Sequence, residues 1–155
     1  MFDYDYELKD TGRVEASGYG SVDGSAKVID LGAGLVRGNL FIDVFQIAIG
    51  SDDQIYRLHV IGGDDADFTN EVSLCCLELG AKEVLQGNAD SLVSRYILPF
   101  QNEQKGTVYP YVRVRHELAG TSPSINYSAR LEKDLPVRGT TNVDTISTTT
   151  TTTTT

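Results

Sequence analysis

Between Val108 and Leu118 the chain alternates. Val108, Val112, Val114 and Leu118 fall on one side, and Tyr109, Tyr111, Arg113, Arg115 and Glu117 fall on the other. Period two puts successive side chains on opposite faces of a strand, so this is a strand with its back to a core and a wet front. The pattern returns in Ile125 to Leu131, with Ile125, Tyr127, Ala129 and Leu131 inward, and in Gln54 to Gly63, with Tyr56, Leu58 and Val60 on one face. Phe2, Tyr4, Tyr6 and Leu8 alternate with Asp3, Asp5 and Glu7 as a strand or an extended arm. Shorter or more apolar runs cover Val28 to Leu31, Leu40 to Ile49, Val72 to Leu79 and Ser94 to Phe100, which makes eight strand-like segments. Gly, Asp, Asn and Ser turns join them at spacings of roughly ten residues, the pattern of an all-β sandwich or jelly roll with extended termini. Leu40–Ile49 and Gln54–Gly63 are parted only by turn residues and read as a β-hairpin. Ser17 to Ser25 reads as a flexible loop, and the helix-friendly stretch AKEVLQ, bounded by Gly80 and Gly87, has room for one helical turn.

A chain of 155 residues is read as one domain, and one of this size buries roughly 70% of its unfolded surface without staples. Three regions follow: residues 1–23, an arm or edge strand with a Gly/Ser loop; 24–134, the sandwich; and 135–155, a polar tail ending in threonines from Thr148 to Thr155. A threonine tract cannot bury enough surface to fold alone. A strand added to a neighbouring molecule is one way to order it. Removing residues 1–10, or everything after Asp134, is expected to leave a folded sandwich.

Charge and motifs narrow the function. At a formal −9 the chain repels phosphate backbones, so no nucleic-acid partner is expected. No apolar run reaches the roughly 20 residues of a membrane helix, and MFDYDYELKD has neither a basic nor an apolar leader region. No membrane partner and no secretory leader are expected. Cys75 and Cys76 are adjacent and read as two small buried hydrophobes, consistent with synthesis in a reducing cytoplasm. GAGLVRG spaces its glycines wrongly for a dinucleotide loop. The acidic stretch Asp64 to Glu71 lacks the order of a calcium loop and reads as solvated. His59 and His116 lie inside strands with no nucleophile beside them in sequence, and read as structural. No enzyme, cofactor or metal site is expected. The stripe of Tyr109, Tyr111, Arg113 and Arg115 suits protein contact, because Tyr and Arg are enriched in interfaces. Phe2, Tyr4 and Tyr6 join it as candidate contact residues if the N-terminal segment docks by strand addition.

Three stretches carry a resemblance. SAKVIDLGAG (Ser25 to Gly34), RYILPFQNEQKGTVYPYVRVRHELAG (Arg95 to Gly120) and PSINYSARLEKD (Pro123 to Asp134) follow one another in the order of the cement, or decoration, proteins of short-tailed double-stranded-DNA phage capsids. The sequence resembles that family over roughly Gly24 to Asp134, by motif order rather than by any single diagnostic motif. The resemblance implies a jelly-roll module on the outer surface of the virion. It would bridge neighbouring major capsid protein subunits, often as a homodimer, and resist the pressure of packaged DNA. The rival from another class is a carbohydrate-binding or adhesin-like sandwich, which would show an exposed aromatic platform in a concave pocket. The chain has no Trp to build one.

Overall fold

The structure, a computed structural model, describes residues 6–133. In chain order the strands are β1 (Glu7–Val14), β2 (Gly18–Tyr19), β3 (Ser21–Val22), β4 (Ser25–Ala26), β5 (Ile29–Asp30), β6 (Arg37–Ile47), β7 (Ile55–Gly63), β8 (Glu71–Gly80), β9 (Arg95–Gln101), β10 (Glu103–Gln104), β11 (Thr107–Val108), β12 (Tyr111–Ala119) and β13 (Ile125–Lys133). A single helical turn, α1 (Lys82–Leu85), follows β8 where AKEVLQ allowed one.

One sheet runs β1-β13-β6-β9; the other runs β2-β12-β7-β8, with β5 also paired to β12, and every ladder is antiparallel. If β2 to β5 are taken as one irregular pass, the eight passes lie in the order 1-8-3-6 in one sheet and 2-7-4-5 in the other. This is the jelly-roll order, in which the chain swaps sheets repeatedly and closes two Greek keys.

The inward residues of each long strand meet in one core. Leu40, Ile42 and Val44 of β6 and Ile125, Tyr127, Ala129 and Leu131 of β13 face Tyr56, Leu58 and Val60 of β7 and Val112 and Val114 of β12, all buried. The inward faces read for Tyr56–Val60, Val112–Val114 and Ile125–Leu131 hold; Leu118 is half-buried, and Val108 does not share the strand but lies in β11, paired with β10. The Tyr56 hydroxyl donates to the Ala48 carbonyl at 2.6 Å and accepts from the Ser124 N–H at 2.9 Å, so a buried ring also ties two loops.

Four expectations change. β6 and β7 do not form a hairpin. β6 pairs with β13 and β9 and β7 pairs with β12 and β8, so neither has a free edge for the other. Their link crosses from sheet to sheet. Ser17–Ser25 is not a plain loop: β2 pairs with β12, and β3 with β4 through a turn at Asp23–Gly24. Among the described residues the first strand starts at Glu7, and Phe2 and Tyr4 lie outside them. Leu8 and Lys9 are buried, so a truncation that spares the fold stops at Asp5 rather than at residue 10. Finally, Cys76 is exposed and Cys75 half-buried, because β8 is an edge strand with one face to water.

Candidate functional site

β12 carries Tyr111, Arg113, Arg115 and Glu117 outward, as its alternation requires, while Tyr109 precedes the strand, donates its N–H to the Asn102 carbonyl and accepts from the Asn102 side-chain amide. The arginines are not a free basic stripe. The Arg113 guanidinium lies between two rings, 3.7 Å from the Tyr19 centroid and 4.1 Å from the Phe68 centroid. Its Nη2 donates to Glu71 Oε1 at 3.2 Å, and the Tyr19 hydroxyl donates to the same carboxylate. Arg115 reaches Glu71 at 3.9 Å and Glu117 at 2.6 Å. Gly63 makes the clamp possible, since a Cβ there would meet the Phe68 ring at 2.6 Å. Asp65 shapes the acidic loop by accepting the Asp67 and Thr69 N–H groups, which holds its carboxyl below the usual range.

Reversing Arg113 is therefore expected to strain the fold, not only a contact. Arg113→Glu sets two carboxylates together and removes both cation–π stacks. It is expected to cost about 1–3 kcal/mol in urea unfolding, and adding Glu71→Arg is expected to restore part of the loss. Equal stability of Arg113→Glu and wild type rules out the clamp.

The nearest thing to a catalytic cluster also lies on this face. His59 Nδ1 meets Ser73 Oγ at 2.9 Å, while its Nε2 meets Glu117 Oε1 at 3.2 Å and Cys76 Sγ at 4.0 Å. A nucleophile–base–acid relay needs nucleophile and carboxylate on different ring nitrogens; the Ser73 hydroxyl and Glu117 meet that condition, whereas the Cys76 thiol shares Nε2 with Glu117. Burial and the Glu78 charge push the Cys76 thiol above its ordinary value, so the thiolate is disfavoured. Among the described residues no group of three or more His, Cys, Asp and Glu side chains is placed to hold a metal ion.

The other sheet shows a different surface. On the outward side of β6 and β9, Phe41 lies opposite Ile97 and Asp43 opposite Arg95, and the register continued past the Val44–Ser94 hydrogen bond sets Val93 opposite Phe45. Ile97, Phe45 and Val93 are each more than half exposed, and neighbouring Leu92 is 72% exposed. The ion pair between the two apolar rows is satisfied within the molecule. Asp43 accepts from Arg95 at 2.7 and 3.2 Å and from Arg130 at 3.2 Å, and the Arg95 bond above all holds its carboxyl below the usual range. Both guanidinium groups also lie over the Phe41 ring. Among the described residues β9 pairs only with β6, so there the strip ends at a strand edge. The ladder alternation turns the proline nitrogen of Pro99 outward, the edge placement open to a residue without an N–H. At that edge an open groove of about 380 Å³ is lined by Arg37, Leu74, Pro99 and Gln101.

The outward apolar strip is absent from the contact residues chosen by sequence. Its signal was present in LFIDVFQIAI, where Phe41 and Phe45 alternate with Leu40, Ile42 and Val44 and make both faces apolar. No known protein family, curated protein or solved structure matches the chain.

Proposed function

We propose that this protein is a non-enzymatic structural component of a phage virion, binding the outer capsid surface and cementing neighbouring major capsid protein subunits. The observation that carries the reading is the exposed strip of Phe45, Val93 and Ile97 beside a strand edge. Several large apolar residues exposed on one sheet face, around an ion pair satisfied within the molecule, favour a protein contact. The family resemblance over Gly24 to Asp134 supplies the kind of partner. An acidic sandwich suits a shell exterior, where it does not trap DNA, and several weak contacts add through effective concentration. The carbohydrate-binding alternative wants an open aromatic face, and the ring of Tyr19 is covered on one side by Arg113.

The test is reconstitution on capsids that lack the protein. The intact chain is expected to bind in stoichiometric amount and to raise the temperature at which shells break. Phe45→Glu with Ile97→Glu is expected to lower occupancy at least tenfold while leaving the melting temperature of the free protein within a few degrees, since neither side chain joins the core. Chains lacking residues 1–5, or everything after Asp134, are expected to fold and to bind less well. Failure of the intact chain to bind capsids overturns the proposal.

A further inference from the structure

Lys9 of β1 is only 4% exposed; burial pushes its pKa down, and the neighbouring Asp10 charge offsets part of that. Its ammonium donates to the carbonyls of Asp10 at 2.9 Å, Gly12 at 2.9 Å and Tyr127 at 2.8 Å, and lies 4.5 Å from the centroid of the Tyr127 ring. Three donated bonds fix it as the charged form. On the other side of Tyr127 is His116 of β12, also 4% exposed, its Nδ1 hydrogen-bonded to the Tyr127 hydroxyl at 2.7 Å and its ring edge-on to the phenol. β7 offers Leu58 in register, and β2 offers Gly18, where a Cβ would lie 3.4 Å from Nε2. The charge acting on His116 is Lys9, which itself feels the Asp10 carboxylate.

The cluster bridges strands of unequal attachment. β12 is held by β7 along nine residue pairs and by β2 and β5 as well. Among the described residues β1 is an edge strand, laddered to β13 alone, with register shifts on both sides of Lys9. We propose that β1 is an acid-released latch: a proton on His116 sets two cations against Tyr127 in the core, and the cheapest relief is the departure of the strand that carries Lys9. Its departure uncovers Leu8 and the edge of β13, a surface ready to accept another strand.

The sign follows from the depressed folded value. Burial, aided by Lys9, holds the docked imidazole down at about 4. Departure of β1 removes Lys9 but leaves β7, β2 and Tyr127 around the ring, so the undocked imidazole takes its proton above that value and short of the ordinary 6.5 or so. Docking is at full strength above about pH 6.5 and weakens as pH falls toward 4. By linkage the opening constant rises several-fold, and at most about 50- to 100-fold, by about pH 4.5. The experiment is hydrogen exchange on the full chain, read as protection factors. Residues 7–14 are expected to lose protection by about that factor between neutral pH and pH 4.5, while the central residues 55–63 keep theirs. His116→Gln, which retains a hydrogen-bonding group beside Tyr127, is expected to remove the pH dependence. The His116 ring resonance in the wild-type protein gives an independent reading, with titration near 4. Equal loss in both segments, unchanged protection of residues 7–14, or titration near 6.5 with β1 still protected would each overturn the latch.

Discussion

Val112→Asp is expected to abolish folding. Val112 has no exposed surface and faces the common core from the most connected strand of its sheet. A carboxylate there loses its hydration without gaining a partner, and the burial of the valine is lost as well. Together these reach on the order of 4–5 kcal/mol or more, comparable with the whole stability of a domain this size. The readout is loss of the cooperative urea transition. A folded Val112→Asp would mean the strand is one residue out of register, because a slip by one exchanges the faces.

Gly120→Val is expected to be nearly as damaging, for a backbone reason. Gly120 follows β12 at φ +101°, a conformation that side chains rarely adopt, and a Cβ would collide with the Asp53 carbonyl and approach Gln54 Cα to 2.8 Å. That approach is where the link from β6 to β7 crosses under the end of β12. Thr121 fixes the crossing by donating its N–H and hydroxyl to Asp53, and Gln54 donates to the carbonyls of Thr121 and Ser122. The control is Gly106→Ala, at φ +84° with open space around the added carbon. The control is expected to cost about 1–2 kcal/mol from the backbone alone, and Gly120→Val at least about 3 kcal/mol. Equal losses in the two variants would remove the collision from the account.

What the sequence disclosed and what it hid divide along a physical line. Alternation is local, so Tyr56, Leu58 and Val60, or Ile125 to Leu131, announce their buried face wherever their partners are. Pairing is not local. The gap between β6 and β7 has the length of a hairpin turn, and only the demand of each strand for two other neighbours excludes that hairpin. Buried polar residues are hidden for a similar reason. Asn102 is fully buried because its amide accepts the Val36 N–H and donates to the carbonyls of Gly34 and Tyr109, three groups distant or unremarkable in sequence. The burial of Lys9 is hidden likewise, because the Tyr127 carbonyl and ring reach it only when β1 meets β13. The arginines of β12 show the limit for the candidate site. Their face was legible from period two, but their partners Glu71, Tyr19 and Phe68 come from three other segments, and those partners decide that the charges are already used.

The pairing of β1 with β13 also bears on how the chain is born. The Lys9–Tyr127 contact spans 118 residues, and among the described residues β1 has no other ladder to join. At ribosomal rates of about 5–20 residues per second, the nascent first strand waits roughly 6 to 24 s for its partner to be made. Leu8 stays wet throughout. The sandwich therefore closes as a late, whole-chain event rather than strand by strand during synthesis, and the slow folding of β proteins rich in distant contacts follows directly.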